Sequence, residues 1–96
     1  MMNNYKTTDE IDLKVLHIYD LLKSIGIVKY KRSFCYAIDL VEQNFSKIAN
    51  GDSTHFTTQH IINLCKVYGV DANWFVGTTK EIFLKPKNPQ VVSKSA

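Results

Sequence analysis

Residues 31–51, KRSFCYAIDLVEQNFSKIANG, decide the fold. Their inward apolar residues fall in two groups at helical spacing, Phe34, Cys35 and Ile38, then Phe45, Ile48 and Ala49. Asp39-Leu40-Val41 breaks the pattern between them, and Asp tolerates left-handed backbone better than most side chains. The spacing predicts a short helix over about 31–38, a turn, and a second short helix over about 42–49. Asn50-Gly51-Asp52-Ser53 closes the stretch as a turn cluster. Two helices joined this tightly must cross closely, which needs a small residue on the first, and Cys35 supplies it. Leu40 joins the inner face. The outward positions of the second helix, Glu42, Gln43, Asn44, Ser46 and Lys47, all carry hydrogen-bonding groups.

On the N-terminal side, residues 1–8 show no periodicity and are expected to form a flexible tail. Thr7 and Glu10 have the spacing of a capping box. Ile11, Val15, Ile18, Leu22 and Ile25 then make one apolar face, predicting a long helix over about 9–25 that ends at Gly26. On the C-terminal side, a helix beginning near Thr57 or Thr58 would bury Ile61, Ile62, Leu64, Cys65 and Tyr68 and stop at Gly69. A last short helix follows, capped by Asp71 and ended at Gly77. Ile82-Phe83-Leu84 is a brief apolar run, and Lys85-Pro86-Lys87-Asn88-Pro89 cannot continue a helix. The expectation is all-α: a compact five-helix bundle, one domain over 9–79, with a tail over 80–96 largely disordered after 87.

The chain of 96 residues, 45% hydrophobic, suits one core of modest size. No apolar run approaches the ~20 residues of a membrane helix. The polar, acidic start MMNNYKTTDE lacks the basic-then-apolar order of a signal peptide, so a cytoplasmic location is expected. Cys35 and Cys65 then read as reduced packing residues. Charge is uneven. Residues 1–22 hold two basic and four acidic side chains, whereas the remainder holds ten basic and five acidic. Lys29, Lys31 and Arg32 form the densest basic knot, an asymmetry suited to a polyanionic partner.

Helix-turn-helix pairs serve many DNA-binding proteins. Five blocks carry a closer likeness: Ile25-Gly26-Ile27; Phe34-Cys35 with Ile38; the run from Asn44 through Phe45, Ser46, Lys47, Ile48 and Ala49 to Asn50-Gly51; Tyr68-Gly69-Val70; and Asn73-Trp74-Phe75-Val76-Gly77. With these blocks the chain resembles the phage repressor and Cro-like (XRE-type) helix-turn-helix domains over about residues 14–78. The resemblance implies a five-helix fold whose third helix lies in the major groove of double-stranded DNA. It implies base contacts from Glu42, Gln43, Asn44 and Lys47, Gln43 suiting adenine and Lys47 the O6/N7 edge of guanine. It implies phosphate contacts from Lys29, Lys31, Arg32 and Ser46, and from Ser53 and His55 in the following loop. It also implies a homodimer, since one reading helix contacts few base pairs. Trp74 and Phe75 are candidates for core or for a dimer or partner contact, together with Ile82, Phe83 and Leu84.

Three residues depart from the family pattern: Asp39 stands where Gly is usual, Val41 where Ser or Thr caps the reading helix, and Glu42 where Gln is usual. A missing cap costs about 1 kcal/mol, and a carboxylate near phosphate repels it. The last two departures favour a second reading, a helix-turn-helix reused as a protein-interaction module such as an antitoxin-like or adaptor subunit. His17, His55 and His60 match no zinc spacing, and no nucleophile–base set is legible. Neither enzymatic activity nor a cofactor, a metal or a small-molecule ligand is expected.

Overall fold

The structure is a computed structural model that describes residues 5–84. Those residues form an all-α domain of five helices: α1 (Glu10–Ser24), α2 (Lys31–Ala37), α3 (Glu42–Ala49), α4 (Thr58–Tyr68) and α5 (Ala72–Phe75). None of them is long and apolar enough to cross a membrane. Expectations that fall on residues 1–4 and 85–96 lie outside the described residues.

The core is aromatic at its centre. Tyr19 of α1 meets Phe34 of α2 and Phe45 of α3 edge-on, with centroids 5.0 and 4.9 Å away. Phe34 also stacks on Tyr68, and Phe45 packs edge-on against Phe56. Such pairs add about 0.5–1.5 kcal/mol beyond the area they bury. Val15, Leu16, Ile18 and Leu22 of α1 and Leu64 of α4 complete this layer, all fully buried. α1 therefore buries a broader face than its predicted stripe, and Ile25, expected inside, is exposed where the chain turns out at Gly26. On α4 the buried face is narrower than expected: Leu64 is buried, Ile61, Cys65 and Tyr68 are half-buried, and Ile62 is exposed.

α1 starts differently from its predicted capping box. The cap is Asp9, whose Oδ1 accepts the Asp12 N–H at 2.9 Å. Thr7 is buried, and its Oγ1 accepts the Asp9 N–H instead. The reason lies upstream, because residues 5–7 dock rather than fray. Lys6 N–H donates to the Ala49 carbonyl at 2.8 Å, and the Tyr5 hydroxyl donates to Asp20 Oδ1 at 2.8 Å. The approach is so close that a Cβ on Gly51 (φ 79°) would lie 3.2 Å from the Lys6 carbonyl oxygen.

The expected C-terminal tail is likewise tied down at its start. Phe83 pairs with Val70 in an antiparallel bridge, Asp71 N–H donating to the Ile82 carbonyl and Leu84 N–H to the Gly69 carbonyl, both at 2.7 Å. Ile82 and Phe83 pack half-buried against the core.

Candidate nucleic-acid interface

The turn between α2 and α3 is set by Asp39, a non-glycine residue in the left-handed region (φ 63°). Asp39 N–H donates to the Tyr36 carbonyl and Leu40 N–H to the Cys35 carbonyl, the two bonds of a Schellman helix end. Asn63 of α4 donates from Nδ2 to the Ile38 carbonyl at 2.9 Å, so another turn acceptor is satisfied from the neighbouring helix. Phe34, Cys35, Ile38, Leu40, Phe45 and Ile48 are buried, as their spacing predicts. Burial pushes the Cys35 thiol up to about 11, with the Glu42 charge adding to the shift against Lys31. It stays protonated at neutral pH and packs as a small apolar residue. Neither cysteine is disulfide-bonded.

The N-cap of α3 is Val41, which makes no side-chain capping bond and is 60% exposed. From there Glu42, Gln43 and Lys47 are exposed, while Asn44 and Ser46 are half-buried. Gln43 and Lys47 stand one turn apart and share a face. Lys29 and Arg32 are also exposed. Lys31 is not turned freely outward: its Nζ lies 5.4 Å from the centre of the Phe45 ring and 3.5 Å from Ser46 Oγ.

The loop after α3 uses its predicted residues unequally. Ser53 is exposed. His55 Nδ1 meets Asp12 Oδ2 at 2.6 Å, and Asp12 Oδ1 accepts the Phe56 N–H at 3.0 Å. Asp12 is 1% exposed, so a buried carboxylate on α1 clamps this loop. Hydrogen bonding to Asp12, then its charge, raises the His55 pKa. This clamp escaped sequence reasoning because Asp12 reads there as one more acidic residue in a helix's first turn. Asp9, Asp12 and His55 do bring three potential metal-ligand atoms within 4.8 Å of one another. Their geometry is already accounted for by the cap and the clamp.

The other histidines also have structural partners. His60 Nδ1 accepts the Thr57 N–H while Thr57 Oγ1 accepts the His60 N–H, a capping box at the start of α4. His17 stacks on Trp74 at 6.0 Å. Trp74 is further covered by Lys14, whose Nζ donates to the Trp74 and Phe75 carbonyls. Of the expected dimer or partner residues, Phe75 is buried, Trp74, Ile82 and Phe83 are half-buried within the chain, and Leu84 is 56% exposed. The run 82–84 thus has an intramolecular partner, the chain around Val70, that its sequence did not reveal.

No family model matches this chain, and no curated protein or solved structure matches it either.

Proposed function

We propose that this chain is a sequence-specific double-stranded DNA-binding protein, a transcriptional regulator of repressor/Cro (XRE) type that inserts α3 in the major groove. The observation that carries the reading is the outward row of α3, where Gln43 and Lys47 stand exposed on a short helix anchored from behind by buried Phe45 and Ile48. A helix held this way presents base-reading groups at fixed geometry, each good contact being worth roughly 1–3 kcal/mol of discrimination. Lys29 and Arg32 supply charge for the sugar-phosphate backbone without sequence information. Lys31 and Ser46, half-buried and 3.5 Å apart, and the exposed Ser53 would serve the same backbone. His55, held by Asp12 through Nδ1 and 57% exposed, would reach it through its other ring nitrogen. In this reading the protein works in the cytoplasm as a homodimer on a two-fold operator, with half-sites about 34 Å apart, and performs no chemistry on the DNA.

A second reading, a protein-interaction module, is favoured by a specific observation. Tyr36 of α2 is 88% exposed, with Val41 and Glu42 exposed beyond it in the chain. An apolar and acidic surface of this kind suits a protein partner better than phosphate.

The deciding experiment is fluorescence-anisotropy binding to random duplexes at two salt concentrations, with sequencing of the bound fraction. Salt-sensitive binding and enrichment of a palindrome are expected. Binding that arises only after Val41→Ser with Glu42→Gln would transfer the assignment to the protein-interaction module.

A further inference from the structure

A cleft of about 350 Å³ opens between the docked N-terminal segment, α1, the start of α2 and the side of α3. That volume falls within the range of small-molecule sites. Its walls include three aromatic side chains from three separate segments, Tyr5, Tyr19 and Phe45. Tyr19 and Phe45 are 6% and 4% exposed, so they form the inner wall, whereas Tyr5 is half-buried. The polar lining converges on one cation. Lys31 Nζ sits above the Phe45 ring at 5.4 Å, beside Ser46 Oγ at 3.5 Å, and Asn50 completes that side. Among the described residues no carboxylate forms an ion pair with Lys31. A lysine able to extend into water instead stays half-buried at an aromatic wall.

We propose that this cleft binds a small planar aromatic anion, an aryl carboxylate or aryl phosphate monoester. The ring lies against Tyr5, over the narrow exposed edges of Tyr19 and Phe45, and the anionic head meets Lys31 and the Ser46 hydroxyl. Offset or edge-on packing of a flat ring is what three such side chains favour. A single half-buried ammonium with a neighbouring hydroxyl recognises one anionic head. Asp20, which accepts the Tyr5 hydroxyl, and Glu42, whose charge also reaches Tyr19, disfavour ligands with a second negative charge far from Lys31. Tyr5 and Lys6 belong to the segment held on the Ala49 carbonyl at the end of α3. Occupancy therefore also steadies the N-terminal segment against α3. Lys31 and Ser46 are also the groups offered to the DNA backbone, so an aryl anion in the cleft and duplex DNA compete for them.

The test is an NMR titration of the full chain with benzoate, phenyl phosphate and inorganic phosphate, following the amides of Tyr5, Lys31, Ser46 and Asn50. Saturable shifts at these positions are expected from benzoate or phenyl phosphate and not from inorganic phosphate. Lys31→Met should weaken the aryl ligands by about tenfold or more, the scale of losing a charged hydrogen-bond partner. Tyr5→Ala should weaken them too, with the circular dichroism of both variants unchanged, while exposed Lys80→Met binds as the parent does. Equal binding of inorganic phosphate, or a titration in which only duplex DNA perturbs these amides, overturns the proposal, as does unweakened aryl binding by Lys31→Met.

Discussion

Asp39 holds a backbone conformation, φ 63°, in which a side chain costs free energy, because the left-handed region crowds Cβ against the following carbonyl. A short polar side chain suffers least. Asp39→Gly is expected to leave stability within ~0.5 kcal/mol, while Asp39→Ile should lower it by about 1–3 kcal/mol. Urea unfolding compares the two, and equal losses would show that Asp39 acts through its carboxylate. His55 carries a different, pH-dependent role. Its folded pKa lies above the ordinary 6.5, raised by hydrogen bonding to Asp12 and by that residue's charge. The clamp's contribution is thus fully present below that ordinary value and is lost as pH rises through the folded pKa. The stability gap between the parent chain and His55→Gln should be widest near pH ~5.5 and close under alkaline conditions. Absence of a gap at every pH would mean that the Phe56 N–H bond to Asp12 alone secures the loop.

At the scale of elements, α2 and α3 were legible because their signals are local. Asp39 breaks the apolar period, Asn50-Gly51 ends it, and the inward residues between repeat at helical spacing. The exposure of Glu42, Gln43 and Lys47 was legible for the same reason, since position on a helix follows from phase, whereas Asn44 and Ser46, also expected outward, are half-buried. What stayed hidden depends on partners far along the chain. Thr7 is buried where Lys6 reaches Ala49, and His55, though exposed, is held through Nδ1 because buried Asp12 lies beneath it. Lys31 faces a cleft because Phe45 and Ser46 come from the next helix. The run 82–84 is the plainest case. Read alone it is an unpartnered apolar segment; folded, Ile82 and Phe83 are half-buried and its backbone pairs across Gly69 and Asp71. Phe83→Ala should therefore cost about 1–2 kcal/mol in chemical unfolding, roughly half a buried aromatic. Its sedimentation coefficient should not change. A dissociated dimer with unaltered monomer stability would return the segment to an interface role.

Over the whole molecule, charge and shape divide the surface. The four acidic side chains of residues 1–22 lie on the docked segment and α1, and Asp12 and Asp20 among them are engaged in hydrogen bonds. Lys29, Arg32 and Lys47 are exposed around α2 and α3, with Glu42 the acidic member of the α3 face. If that face meets DNA, its contacts must sort into two kinds that salt separates. Each phosphate-neutralising residue releases counterions, so Lys29→Ala and Arg32→Ala should each weaken binding on every sequence and reduce the salt slope by about one. Gln43→Ala removes no charge. It should leave the slope intact while relaxing preference at one position by roughly 1–3 kcal/mol. Anisotropy titrations of the three variants on a selected site and a scrambled duplex, across a salt series, measure both quantities. Loss of preference without loss of slope in Gln43→Ala, and the reverse in Arg32→Ala, is the pattern expected of a base-reading helix beside a phosphate-binding knot. A uniform loss in all three would mean that this face binds duplexes through charge and shape alone.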